Sequence, residues 1–347
     1  MSLLDPKDLP ARFENEEALE EFMTRPSRAL TDDLAALDGD IIVLGIGGKM
    51  GPTLARLAKR AAPGKRVVGV ARFSEPGLAD ELKRHGIETI SCDLLDRAAV
   101  ERLPKIANVI YMAGRKFGAS GNEELLWAMN AHVPALVAEA FKGARIVAFS
   151  TGCVYPFVPV ASGGATEMTP TVPPPGSYAW SCLAREQTFT YFSQRDGTKA
   201  CLFRLNYAID MRYGVLHDVA MKVRDGQPID LTTGHANVIW QGDANAMALR
   251  ALRHCASPPL PLNITGPETL SIRWLAQAFA ERLGVAAKLE GEEATTGWLN
   301  NPARAMALFG YPTVPLERMV DWVADWVGRG GASLGKPTKF EVRSGAF

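Results

Sequence analysis

Two groups able to hold or move a proton stand four residues apart in Ser177-Tyr178-Ala179-Trp180-Ser181-Cys182-Leu183-Ala184-Arg185-Glu186: the phenol of Tyr178 and the thiol of Cys182. On a helix, positions four apart share a face, so these side chains meet. A phenol titrates near pH ~10 unaided, and a nearby cation lowers that value. A thiolate at Cys182 would raise it instead, whereas a neutral thiol is a small apolar packer. Two cations are within conceivable reach. Arg185 lies seven positions along the same helix, and Lys116 lies in Ala113-Gly114-Arg115-Lys116-Phe117. Both read first as surface or phosphate-contacting charges. Far upstream, Gly45-Ile46-Gly47-Gly48-Lys49-Met50-Gly51 separates an apolar run from a helical stretch. Glycines in that context let the backbone approach a pyrophosphate and place it at a helix N-terminus. Gly45, Gly47, Gly48, Lys49, Met50 and Gly51 are therefore candidate dinucleotide contacts.

These groups need a scaffold, and the chain alternates short β-branched runs with helical stretches. Strands are expected at 41–44, 66–70, 88–92, 108–112, 144–149 and 199–204, with a late one returning near 260–264. Apolar strands alternating with helices predict an α/β fold, a doubly wound parallel sheet covered on both faces. Residues 1–38 read as an acidic helical extension broken at Pro26, with Thr31 as an N-cap. The dinucleotide-binding domain is expected at 39–206 and a mainly substrate-binding subdomain at 207–327. Ser271 caps an amphipathic helix over 272–283, and a last helix runs near 316–327. The proline-rich loop 169–175 leads into the Tyr178 helix, and the glycine-rich tail 328–347 is expected to be poorly ordered.

The residue some 20 positions beyond the glycine turn decides the cofactor, because a carboxylate there holds the adenosine ribose of NAD. That position is Ala71, followed by Arg72. A missing carboxylate beside a guanidinium favours a 2′-phosphate, hence NADP over NAD, and Lys49 points the same way.

The glycine spacing Gly45, Gly48, Gly51, the run Ser150-Thr151-Gly152-Cys153-Val154-Tyr155 and the Tyr178 segment together resemble the extended short-chain dehydrogenase/reductases, the group of NAD(P)-dependent epimerases and dehydratases. The resemblance spans roughly residues 40–326 and implies a Rossmann-type domain with a smaller C-terminal substrate-binding subdomain. It implies that Tyr178 carries the proton and that Thr151, with Ser150 as fallback, holds the substrate oxygen. It also marks a departure, since the family places a lysine where Cys182 stands. Asp93-Leu94 resembles the adenine-contacting pair and Ala113-Gly114 the turn beside the nicotinamide ribose. Lys116, Ser150, Asn206 and Asn237 are the candidate substrate contacts. Asn237 replaces an arginine that in many relatives grips a nucleotide diphosphate, so a sugar, polyol or sugar acid is expected rather than a nucleotide-diphosphate sugar. Trp240 reads as packing more than sugar stacking. The activity implied is that of an oxidoreductase or epimerase. The alternative is a catalytically weakened binding or scaffold protein. A homodimer is implied as well.

Composition agrees with an ordinary globular enzyme. Of 347 residues, 47% are apolar, and 38 basic residues balance 38 acidic ones, so no global field draws the chain to nucleic acid or membranes. No apolar run approaches the ~20 residues that span a bilayer. The N-terminus does not resemble a signal peptide. Five scattered cysteines fit reduced thiols in a cytoplasm, and five histidines without ligand spacing give no reason to expect a metal.

Overall fold

Residues 3–116, 122–336 and 338–343 are described by the structure, a computed structural model of the chain. Seven strands pair into one sheet: β1 (Ile41–Leu44), β2 (Val67–Ala71), β3 (Glu88–Ser91), β4 (Asn108–Tyr111), β5 (Arg145–Thr151), β6 (Lys199–Leu205) and β7 (Leu260–Ile264). All neighbours are parallel, in the order β7-β6-β5-β4-β1-β2-β3. Each residue of β1 is fully buried, as helices on both faces require. The alternation of a strand then divides it, with Ile41 and Val43 entering one core and Ile42 and Leu44 the other. Strand order reverses at β1 and β4, and above the carboxyl ends of such a switch point an open sheet leaves a crevice.

β5 runs two residues beyond its expected end. Its partner β6 continues, pairing Ser150 with Arg204 and Thr151 with Leu205, so both hydroxyls sit on regular strand backbone. The helix over Arg28–Ala35 is capped by Ser27, whose hydroxyl accepts from Leu30 N. Thr31 is inside that helix and donates to Ser27 O, which corrects its expected role as the cap. Ser271 does cap Ile272–Leu283, accepting from Trp274 N.

Helices Val215–Arg224, Ile272–Leu283 and Leu316–Gly328 enclose a second core around Trp240 and Trp322. Phe13 and Phe22 belong to that core, their rings 4.7 and 5.5 Å from the Trp322 ring. Leu19 and Met23 join them there, whereas Leu30, Leu34 and Leu37 pack in the core beneath the glycine turn. The helix Gln241–Ala251 leaves the second core again. Its Ala244 and Ala248 pack in the glycine-turn core, beside β7.

The C-terminal segment is also placed, against expectation. Thr338 and Phe340 are buried, and Lys222 pairs with Glu341. Among the described residues, no helix is long and apolar enough to cross a membrane.

Candidate active site

Two adjoining cavities of about 390 and 300 Å³ occupy the crevice, and Gly45, Gly48 and Met112 line both. The larger lies toward β2 and β3 and is lined by Gly47, Ala71, Arg72, Asp93, Leu94, Ala113 and Gly114. The smaller lies toward β5 and β6 and is lined by Lys49, Met50, Lys116, Ser150, Thr151, Tyr178 and Asn206. Every candidate cofactor residue except Gly51 thus reaches one cavity or the other.

Gly45 adopts φ +91°, and a Cβ there would lie 2.6 Å from Ala113 N. Only glycine lets the turn after β1 pass so close to the chain leaving β4. Gly51 serves packing instead. A Cβ on it would meet Ile46 O at 2.2 Å, so it lets the helix Gly51–Ala61 start directly beneath the turn. The larger cavity therefore offers what a dinucleotide needs: glycines at a helix N-terminus and Asp93 at the β3 end. Asp93 Oδ1 already accepts from Leu95 N at 3.0 Å, which fixes the carboxylate at the rim.

Lys49 corrects one strand of the NADP reading. Its ammonium does not approach Arg72. It donates to Ala208 O at 3.3 Å and lies 3.6 Å from the Tyr213 ring centroid, in the smaller cavity. Burial pushes its pKa down to about 7.

Thr151 ends β5, and its hydroxyl accepts from Cys153 N at 3.2 Å while facing the cavity. Ser150 lines the same wall, but its hydroxyl donates to Glu186 Oε1 at 2.6 Å. Glu186 in turn pairs with Arg204 at 2.6 Å, both groups buried. Ser150 is thereby tied to an internal ion pair, whereas the Thr151 hydroxyl is not.

Tyr178 is in the first turn of the helix Ser177–Asp196 and faces the cavity. Its ring packs against the apolar cluster that holds Cys182. Burial, together with the neighbouring Cys182 and Cys153, holds the phenol well above its ordinary value, and Arg185 only partly opposes this. Cys182 itself is 1% exposed and lines neither cavity. It packs among Val154, Tyr155 and Ala165, and burial pushes its thiol up, so it stays neutral.

Of the two expected alternatives, surface or phosphate-contacting charge, the first does not hold: Arg185 is buried and Lys116 lines the smaller cavity. Arg185 is buried, donating to Phe149 O at 2.8 Å and to Asn130 Oδ1 at 2.7 Å, with its guanidinium 5.8 Å from the Tyr111 ring centroid. Lys116 lies 5.7 Å from the Tyr178 ring centroid and donates to Thr338 O at 3.1 Å.

Asn130 organises this arrangement and escaped the sequence reading. It lies in a single π-helical turn, Ala128–His132, between the helices Glu123–Trp127 and Val133–Ala140. Its amide accepts from Arg115 N and donates to Arg115 O and Ser181 Oγ, each at 2.9 Å, while Arg185 takes its second acceptor position. All four hydrogen bonds an amide can make are present. They join the Lys116 loop to the Tyr178 helix. A lone asparagine between Met129 and Ala131 was the available signal, but periodicity cannot reveal a π turn, although such turns often mark functional sites.

On the substrate side, Asn206 lines the cavity and donates to Trp298 O at 3.1 Å and Asn300 Oδ1 at 2.9 Å. Asn237 does not line it. Its amide donates to Glu268 O and accepts from Asn300 N, both at 2.8 Å, so the expected substrate contact is an internal brace. Trp240 is buried 5.6 Å from Trp322, in keeping with packing. Thr338, from the tail, completes the cavity wall.

Residues 41–261 match the NAD dependent epimerase/dehydratase family, and the chain belongs to that family. Comparison with curated protein sequences returns no match. Among solved structures, UDP-glucuronic acid 4-epimerase from Bacillus cereus, in complex with UDP-glucuronic acid and NAD, is similar with a TM-score of 0.70 and 20% identity, covering 84% of this chain and 99% of that one. Thermus thermophilus UDP-glucose 4-epimerase, in complex with NAD, gives 0.68 and 22%, with coverage of 84% and 99%. Pal from Bacillus thuringiensis gives 0.69 and 16%, again 84% and 99%. These likenesses are of fold, and they agree with the Rossmann-type architecture expected from the sequence.

Proposed function

We propose that the chain is a nicotinamide-dinucleotide-dependent oxidoreductase or epimerase acting on a carbohydrate-like alcohol, with NADP preferred to NAD. The observation that carries this reading is that Thr151 and Tyr178 line one cavity that shares Gly45, Gly48 and Met112 of its wall with the second. When bound, the dinucleotide exchanges a hydride with the substrate carbon. Thr151 holds the substrate oxygen by a hydrogen bond, and Tyr178 gives or takes the proton on that oxygen. Tyr178 is protonated at neutral pH, so it is set to give a proton to a carbonyl more readily than to take one from an alcohol. Ala71 in place of a carboxylate, with Arg72 beside it at the cavity rim, supports NADP.

Lys49 and Lys116 on the wall of the smaller cavity support a substrate bearing an acid group, such as a sugar acid. The expectation against a nucleotide-diphosphate sugar gains no support: two of the similar structures are UDP-sugar epimerases, and Asn237 is spent inside the protein. Nucleotide-linked and free sugars therefore both belong to the proposed class. We also propose pairing of two copies, supported by Trp127, Trp180 and Tyr191, exposed on adjoining helices.

The packing of Tyr178 against the cluster that holds Cys182, where the family carries its lysine, favours a second reading, a binding protein with weakened chemistry. Purified chain, with bound cofactor identified, should turn over at least one member of a panel of sugars, polyols, sugar acids and UDP-sugars, and Tyr178→Phe should abolish that turnover. Activity that appears only in Cys182→Lys would overturn the enzyme reading.

A further inference from the structure

Among the described residues, two cationic side chains line the larger cavity, and they are far apart in sequence. Arg72 follows β2, and Lys336 belongs to the C-terminal segment. Phe73, next to Arg72, adopts φ +50°, a conformation phenylalanine rarely takes, and this turn sets Arg72 and Ser74 at the cavity rim. The carboxylates on this cavity are Glu75 and Asp93; the strand end that would carry a ribose-binding acid is Ala71.

The tail that carries Lys336 is held on both sides of it. Before it, Leu334 N donates to Arg212 O at 3.1 Å, and Ser333 Oγ lies 3.0 Å from His217 Nε2. After it, Thr338 N donates to Asp218 Oδ2 at 2.7 Å, and Phe340 is 2% exposed in the second core. An exposed lysine on a chain pinned this closely keeps its backbone at the cavity, and only its side chain has to be ordered when a ligand arrives.

We propose that the C-terminal segment supplies Lys336 as a second cation, with Arg72, for a phosphate ester on the adenosine ribose of the bound dinucleotide. The inference rests on the reading of the cofactor as NADP. The bridging pyrophosphate is provided for separately, by the glycine turn and the N-terminus of the helix Gly51–Ala61. A ribose 2′-phosphate is a dianion, and two point charges from separate segments bind it where a plain ribose diol offers them nothing.

The test uses the full chain and needs no substrate. Binding of 2′,5′-ADP, 5′-AMP, NADP and NAD is measured by calorimetry for wild type, Lys336→Ala and Arg72→Ala. Lys336→Ala should weaken 2′,5′-ADP and NADP about tenfold and leave 5′-AMP and NAD within about twofold. Equal weakening of all four ligands, or of none, while wild type prefers NADP would overturn the role of Lys336 and leave the NADP reading standing. Wild type that binds NAD as tightly as NADP would overturn that reading itself. Lys336 is exposed, so the variant should fold, which its unfolding temperature checks.

Discussion

At the scale of residues, one helical face carries Tyr178, Cys182 and Arg185. Burial raises the phenol, and the thiol four positions on raises it further. Arg185 supplies the positive charge this face retains, but its guanidinium is turned to Phe149 O and Asn130 rather than to the cavity. The chain thus keeps a cation near the tyrosine while moving it to where it braces structure. A pH profile follows. Alcohol oxidation needs the phenolate, whose folded value lies well above the ordinary ~10. The oxidation rate should therefore climb about tenfold per pH unit through pH ~9 without levelling. In Cys182→Lys the ammonium would favour the phenolate, and the profile should level at lower pH. A wild-type plateau near neutrality would contradict the assigned direction of the shift. The Tyr178–Cys182 contact was legible from the sequence because helical spacing fixes it. The positions of Arg185 and Lys116 were not, since a side chain of either type is equally at home in solvent, and only tertiary packing decides.

At the scale of elements, the helix Ser177–Asp196 is anchored to the sheet by charge. Glu186 meets Arg204 of β6, Arg204 Nη1 also donates to the Tyr155 hydroxyl at 2.6 Å, and Ser150 of β5 donates to the same carboxylate. Removing one partner of a buried pair leaves the other charge stranded. Glu186→Ala should accordingly cost about 3–5 kcal/mol, read from urea unfolding. A loss below about 1 kcal/mol, the scale of an exposed pair, would show that the pair does not anchor the helix. The strands themselves were readable, because β-branched runs at short spacing admit few alternatives. β1 and β7 fall where expected, and the others shift by one or two residues. The π turn at Asn130 was not readable. A one-residue excess in a helix leaves its apolar pattern nearly unchanged, and the cost of that turn is met by four hydrogen bonds distant in sequence.

At the scale of the molecule, segments far apart in sequence share the second core. Phe13 and Phe340 enter the same core as Trp322. The packing of these segments was not readable from the sequence, because the aromatics that dock them, Phe13 and Phe340, carry no periodic signal. The outer surface shows a different pattern. Trp180 and Tyr191 lie eleven residues apart, about three helical turns, and share an exposed face with Trp127 nearby. Exposed aromatics grouped this way are expected to pair two copies. Light scattering after gel filtration should give twice the 37.5 kDa chain mass, and Trp180→Glu should shift it toward the monomer. A wild-type monomer at micromolar concentration would remove the pairing proposal.

The pinned C-terminal segment also bears on biosynthesis. About 290 residues separate the glycine turn from Lys336, roughly 15–60 s of elongation at ~5–20 residues per second. The floor of the cofactor crevice emerges from the ribosome long before its last wall is made. A nascent chain can shape the turn early, but the crevice gains Lys336 and Thr338 only about 290 residues later.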